Sequence, residues 1–269
     1  MERVLRDGAF EGETHIVTGA AQGIGNQVAA TLAAHGACVV LVDLDPGRLE
    51  EARAEIAKDA PVAPLVAAAN VADEAQVQRA VASALEATGC INGVVNVAGI
   101  TKDVRIPKKS YEDFKLVMAV HLHGTFLFMR EVAAQHWHPL FKDNENAPLD
   151  DGVNRFVINF SSVSARNGNV GQIDYTAAKG AIEAATRTAA REFAGYRARV
   201  NAIAPGPVMT PMLAKVPEAQ IEGMKRATLV GRLAEPVELA RSVAAIADPK
   251  LFGYCTGQIF AVNGGMYMA

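Results

Sequence analysis

A tyrosine and a lysine, Tyr175 and Lys179, stand four residues apart at the start of a stretch that reads as a long helix. Four residues is about one helical turn, so both side chains share a face. An ammonium beside a phenol favours the phenolate and should lower a tyrosine pKa that is ordinarily about 10. Such a tyrosine can exchange protons nearer neutral pH. The spacing alone equally suits a solvated helix face. What the rest of the chain builds around the pair decides between the two.

The chain before the pair reads as the scaffold of a nucleotide site. His15–Thr18 is a short apolar strand. It runs into Thr18-Gly-Ala-Ala-Gln-Gly-Ile-Gly25 and then into a helical pattern over 26–35. Glycines let a backbone approach a pyrophosphate, and a helix N-terminus offers free N–H groups. A purely structural turn is the alternative for this motif taken alone. Cys38–Asp43 reads as a second strand ending in an acid, 18 residues after Gly25. A carboxylate there binds the hydroxyls of an adenosine ribose and repels a 2′-phosphate. Leu44 follows it, and Ala20, Ala21 and Gln22 are uncharged. These features favour NAD over NADP; a solvated acid at a strand end is the bland reading.

The remaining elements alternate. Helices are expected over 46–58 and 73–88, the latter capped by Asp73. Between them a buried strand over 62–67 leads to Asn70 and Val71. A strand from Gly93 runs into the turn Asn96-Val-Ala-Gly99. One long helix is expected over 111–137, then a polar, acidic surface loop over about 139–154. A strand from Arg155 ends at Ser161-Ser162, and the Tyr175 helix runs to about 195. Arg199–Ala204 reads as a strand stopped by Pro205-Gly206. A substrate lid over about 208–230, or else a packed helical hairpin, follows it. A helix near 236–247 and a strand over 257–262 close the chain. This order predicts an α/β fold: a Rossmann-like, doubly wound parallel sheet of about seven strands with helices on both faces, in a single domain over 1–269. Such sheets bind ligands beyond the strands' carboxyl ends. The Gly19 turn, Asp43, Asn70 and the Asn96–Gly99 turn all fall at that edge.

Composition excludes other classes. Half of the 269 residues are hydrophobic and the net charge is −3, so no basic stripe points to nucleic acid. Cys38, Cys90 and Cys255 are far apart and read as free, buried thiols of a reducing compartment. The first residues lack the apolar core of a signal peptide, and no apolar run is long enough for a membrane helix. A cytoplasmic protein is expected. His121 and His123, like His136 and His138, lie two apart and share no helix face. With no cysteine or carboxylate cluster to complete a site, a metal is not expected.

With these pieces in order, the chain resembles the classical short-chain dehydrogenase/reductase family over roughly residues 12–266. The likeness rests on Thr18–Gly25, Asn96-Val-Ala-Gly99, Ser162, Tyr175-x-x-x-Lys179, Asn201, Pro205-Gly206 and Thr256-Gly-Gln. Ser162 precedes Tyr175 by 13 residues, the family's usual interval. The resemblance implies that Tyr175 exchanges a proton with the substrate oxygen and that Ser162 holds that oxygen. Lys179 would lower the tyrosine's pKa and bind the nicotinamide ribose. It implies that Gly19, Gln22, Gly23 and Ile24 cradle the diphosphate, while Asp43 and Leu44 meet the adenosine ribose. Asn70 and Val71 would flank the adenine, and Asn96, Ala98 and Gly99 would line the middle of the cofactor. Pro205, Gly206, Val208 and Thr210 would border the nicotinamide. Two positions depart from the family. Asn70 replaces an aspartate, and its carbonyl can still accept from the adenine amino group. His121 replaces an asparagine that holds a relay water. It is expected either to join the proton relay or to pack against the helix bend without titrating.

Within the family the chain resembles 3-oxoacyl-acyl-carrier-protein reductases in Gly99-Ile-Thr-Lys-Asp103, Gly168–Gln172 and Thr210-Pro-Met with Lys215-Val-Pro. In the same motifs it equally resembles the NAD-linked type 8 hydroxysteroid dehydrogenases, and in the long acidic loop before the fifth strand, with the NAD signal, it resembles the mitochondrial-type 3-hydroxyacyl-CoA dehydrogenases. The expected partner is a small ketone, alcohol or acyl thioester, and the expected assembly a homotetramer. Carrier-protein docking is disfavoured by the acids of the 139–154 loop, Asp143, Glu145, Asp150 and Asp151, and by Tyr196 where those reductases often place an arginine. Met209, Met212, Leu213 and Met224 make the lid apolar, which suits an acyl chain or a ring. A dehydrogenase of free cyclic, aromatic or steroid alcohols, and a catalytically impaired NAD-binding protein, are the alternatives.

Overall fold

In the computed structural model, residues 5–211, 213 and 216–268 are described; Met212, Lys215 and the first four residues lie outside them. Seven strands among these residues form a parallel sheet. They are β1 (Thr14–Thr18), β2 (Cys38–Asp43), β3 (Leu65–Ala68), β4 (Gly93–Asn96), β5 (Arg155–Phe160), β6 (Ala198–Ile203) and β7 (Ile259–Phe260). Their order across the sheet is β3-β2-β1-β4-β5-β6-β7. β1, β4, β5 and β6 are buried along their whole length, as parallel strands covered on both faces must be. The strand order reverses between β1 and β4, which opens a crevice at their carboxyl ends.

Two apolar layers cover the sheet. Helices α1 (Gly23–Ala34), α2 (Pro46–Ile56) and α10 (Pro236–Ala247) bury Val28, Leu32, Leu49, Leu239 and Val243 against one face. Helices α3 (Glu74–Thr88), α5 (Gly124–Val132) and α8 (Ile173–Glu192) contribute Val77, Val81, Phe128 and Ala190 to the other. The expected doubly wound, Rossmann-like fold is the observed one.

Several boundaries move, each for a local reason. β3 begins at Leu65 rather than 62 because Pro64, which has no N–H, cannot join the ladder. β4 stops at Asn96 because the amides of Val97 and Ala98 donate to Thr18 Oγ1 instead, at 3.0 and 3.1 Å. The helix expected over 111–137 is interrupted and longer. After α4 (Tyr111–Met118) comes a π turn over Ala119–His123, then α5, a second π turn over Ala133–Trp137, and α6 (His138–Asp143); the short α7 (Ser164–Asn167) precedes α8, and α9 (Glu218–Ala227) precedes α10. The 139–143 part of the expected loop is therefore helical. Pro139 follows the second π turn with no break in the helical backbone, so the bond its N–H would have made is missing there. Trp137 is fully buried there and donates its indole N–H to the Ile91 carbonyl at 2.8 Å.

Candidate active site

Parallel strands put every β-to-α turn at one edge, and the side chains named from the sequence converge there. Helix α8 carries Tyr175 and Lys179 in its first two turns. The Lys179 side chain is buried, and its Nζ donates to the Phe160 carbonyl at 2.5 Å, where β5 ends. The same Nζ lies 5.6 Å from the Tyr175 ring centroid. Ser162 follows β5 directly, is buried, and lies beside the Tyr175 phenol, whose titration it influences. Its Oγ also accepts the Ser164 N–H at 3.1 Å, which fixes the rotamer.

The electrostatics differ from the simple expectation. Tyr175 as a residue is half-buried, but its phenol end lies deep. Burial pushes its pKa above the ordinary value, the Ser162 hydroxyl pulls the other way, and the Asp103 charge pushes it up again. The expected lowering by the lysine is not what the protein alone shows. Burial instead pushes Lys179 down to about 7. The pair thus consists of a phenol that is harder to ionise and a lysine that is easier to deprotonate than in water.

His121 sits in the first π turn with 2% of its surface exposed. Its ring stands edge-on to Tyr175, with centroids 5.1 Å apart and planes at 89°. Nε2 lies 2.8 Å from the Ile100 carbonyl and 3.1 Å from the Ile100 N–H. One nitrogen cannot serve both. Either Nε2–H donates to the carbonyl and Nδ1 is an acceptor, or Nε2 accepts and Nδ1–H is a donor. In both cases Nδ1 is buried without a protein partner among the described residues. Burial, then the Lys179 charge, push the His121 pKa down to about 3, against the Ile100 hydrogen bond. A β-carbon on Gly99 would lie 2.3 Å from the His121 ring, so only glycine fits beside this histidine.

Beside these groups lies a backbone cradle. Gly19 has a φ of +68°, and a β-carbon on it would lie 2.9 Å from Ala98 Cα. One on Gly25 would strike the Gly19 carbonyl oxygen at 2.2 Å. α1 starts at Gly23, so its free amides open into the turn. Gln22 is exposed and Ile24 packs partly into the core. The Asp43 carboxylate accepts from Leu44 N at 2.7 Å and Ala21 N at 3.2 Å, which holds it beside the glycine turn. Asn70 Oδ1 accepts the Ala72 N–H at 3.0 Å and keeps one lone pair, while Val71 is buried against Gly124. Asn96 Nδ2 donates to Asn159 Oδ1 at 2.9 Å, leaving Asn96 Oδ1 buried with no protein partner among the described residues. Pro205, Gly206, Val208 and Thr210 follow β6, and Thr210 approaches Gly23 to 3.8 Å of where a β-carbon would stand. A cradle that any side chain would fill, a carboxylate at the end of β2 and an orphaned buried acceptor fit a nicotinamide dinucleotide.

Sequence reasoning missed several neighbours. Arg48 Nη1 reaches Gln22 Oε1 at 3.4 Å, which brings a cation to the glycine turn from five residues past Asp43. Asp103 and Lys109 are tied to Gln172 and Asp174 just before Tyr175. Only contacts across the fold reveal these. The acidic loop also needs correcting. It precedes β5, so it lies at the amino edge of the sheet, roughly 20 Å from Ser162 along the strand. Asp150 pairs with Arg197 at 2.7 Å and Asp151 with Arg155 at 2.6 Å. Its charge therefore does not face the site entrance. Tyr196, which hydrogen-bonds His138 at 3.0 Å, precedes β6 at the same amino edge. The three cysteines are free but half-buried rather than fully buried.

Known proteins share this layout. Residues 19–267 match a family model described as enoyl-(acyl carrier protein) reductase. A 3-oxoacyl-[acyl-carrier-protein] reductase, FabG, of Thermotoga maritima is 34% identical over 96% of this chain and 98% of its own. A human (3R)-3-hydroxyacyl-CoA dehydrogenase is 35% identical over 94% of this chain and 95% of its own. A Brucella melitensis crystal structure titled a short-chain dehydrogenase/reductase, glucose/ribitol dehydrogenase, superposes with a TM-score of 0.86. It is 29% identical and covers 98% of this chain and 100% of that one. Matches running through nearly the whole length agree with the geometry: this chain belongs to the short-chain dehydrogenase/reductase family, oxidoreductases that act on small-molecule substrates with a nicotinamide cofactor.

Proposed function

We propose that this protein is an NAD(H)-dependent oxidoreductase that interconverts a secondary alcohol and a ketone, its substrate a 3-oxoacyl or 3-hydroxyacyl thioester. The observation that carries the reading is the convergence of Ser162, Tyr175 and Lys179 at the edge that holds the glycine cradle. The bound nicotinamide supplies or accepts the hydride. The chain's own groups handle the oxygen and its proton. In the reducing direction the Ser162 hydroxyl donates to the carbonyl oxygen and stabilises the developing alkoxide. Tyr175 Oη gives its proton to that oxygen. Lys179, held near 7, is protonated often enough at neutral pH to stabilise the resulting phenolate and to help return its proton. His121 takes part only as a neutral imidazole, since about 3 is too low for it to charge at working pH. Its two tautomers present Nδ1 as donor or acceptor, which suits hydrogen bonding to a relay water.

Gly19, Gln22, Gly23 and Ile24 hold the diphosphate in this reading, with Asp43 and Leu44 at the adenosine ribose and Asn70 and Val71 at the adenine. Asn96, Ala98 and Gly99 flank the middle, and Pro205, Gly206, Val208 and Thr210 the nicotinamide. Asp43 favours NADH over NADPH. Arg48 gives a second reading, because a guanidinium near Gln22 could meet a 2′-phosphate. The thioester is supported by the names of two relatives and by exposed apolar side chains on the segments flanking Tyr175, among them Ile106, Val170, Ile173 and Met209. The same apolar groups suit a cyclic or steroid ketone. The test is a panel of NADH and NADPH against 3-oxoacyl-CoA, cyclic ketones and steroids. NADH oxidation fastest with the thioester supports the reading. Equal or better rates with NADPH overturn the Asp43 argument, and faster turnover of free ketones overturns the thioester.

A further inference from the structure

A buried ion pair that the chemistry above does not use lies one residue before Tyr175. Lys109 Nζ and Asp174 Oδ2 are 2.7 Å apart, with side chains 5% and 1% exposed. The other oxygen of Asp174 accepts the backbone N–H of Tyr175 at 2.9 Å, so one carboxylate grips both the lysine and the tyrosine's own main chain. Lys109 Nζ also donates to the Lys102 carbonyl. Two further ties join the same segments. Gln172 Nε2 donates to Asp103 Oδ2 at 2.9 Å, and the Val104 N–H to the Gly171 carbonyl at 2.9 Å.

These ties matter because of where Tyr175 sits. It lies in the first turn of α8, and that helix has no side-chain N-cap: the Gln172 side chain turns away to Asp103. First turns fray when their amides lack partners. A proton donor displaced by about 1 Å can lose about a hundredfold in rate. The segment that holds this turn in place leads back through Ile100 and Gly99 to β4, where Ile100 meets His121.

We propose that Lys109 is a positioning residue for the reaction: through Asp174 it fixes the first turn of α8 and so sets where Tyr175 Oη meets the substrate oxygen. The inference rests on the proton exchange proposed for Tyr175. Because removing one partner leaves a buried charge unpaired, the informative variant removes both charges and keeps the shape. In Lys109→Met/Asp174→Asn the asparagine carbonyl still accepts the Tyr175 N–H. With acetoacetyl-CoA and NADH, this variant should lose at least about thirtyfold in kcat, while KM and the Kd for NADH change less than about threefold. Amide hydrogen exchange should quicken over 172–176 and stay unchanged over the second half of α8. A merely structural pair predicts otherwise: kcat within about threefold of the parent, or a kcat loss matched by an equal loss of NADH affinity, overturns the proposal. If the double variant does not fold, Lys109→Arg keeps the charge pair but moves its charged end, and should lower kcat severalfold at unchanged NADH affinity; no change there also overturns it. A parent protein without ketone reductase activity would refute the proposed function instead. The exchange pattern still decides the clamp in that case, and unchanged protection over 172–176 counts against it.

Discussion

At the scale of single residues, the candidate site is a set of buried proton carriers. His121 titrates at about 3 in the fold against an ordinary 6.5. Between those values the unfolded chain binds more protons, so stability rises with pH across the window and is lost as pH falls from 6.5 toward 3. His121→Asn should flatten that acid limb in urea unfolding, by at most on the order of 5 kcal/mol; an unchanged limb would mean the histidine is not buried neutral. Its effect on the pH–rate profile reads the relay separately, since a histidine that only packs leaves the profile unaltered. Lys179, held at about 7, behaves likewise at higher pH. From 7 to 10.5 the unfolded chain binds more protons, so stability should rise with pH there. In Lys179→Met that rise should be lost along with activity, read by melting temperature across the same window. Asp43→Ser removes the charge that repels a 2′-phosphate and should shift the NADPH-to-NADH ratio of kcat/KM upward by about tenfold or more. The identities of Tyr175, Lys179, Ser162 and Asp43 were legible because each is a chemical type at a fixed interval. Their protonation was not. The sequence puts an ammonium near a phenol, but only the fold shows burial depressing the lysine and raising the phenol.

At the scale of elements, alternation of apolar runs and amphipathic stretches announced the parallel sheet, and proline and glycine set most of its boundaries. The π turns at Ala119–His123 and Ala133–Trp137 were not legible. Each widens one turn without breaking the helical apolar pattern, so the stretch reads as a single helix. Yet the first of them sets His121 against Gly99 and Ile100. Gly99→Ala should therefore cost about 1–3 kcal/mol from overpacking, visible as a lower melting temperature. Pairing it with His121→Asn should recover most of that loss; failure to recover would show that the histidine is not the obstacle. The second π turn buries Trp137. Trp137→Phe leaves the Ile91 carbonyl unpaired and should cost about 1–3 kcal/mol while NADH affinity stays constant.

At the scale of the whole molecule, the strand reversal between β1 and β4 brings the glycine turn, the Asn96 turn and the Ser162 end of β5 to one crevice. The order of elements made that edge predictable. It did not reveal which surface segments reach the edge. The acidic loop, long and conspicuous in sequence, lies at the opposite end of the strands, while the short 102–109 segment grips the start of the Tyr175 helix. No helix of the described residues is long and apolar enough to cross a membrane. A homotetramer is proposed, for which light scattering should give about four times the 28.4 kDa chain mass. The central claim is that Tyr175 gives its proton to a ketone oxygen during NADH-dependent reduction. Single-turnover reduction of acetoacetyl-CoA by NADH, compared between the parent and Tyr175→Phe, tests it most directly. Rapid NADH oxidation by the parent and a loss of about a hundredfold or more in the variant are expected, with NADH bound equally well by both. Comparable hydride transfer in the variant would contradict it.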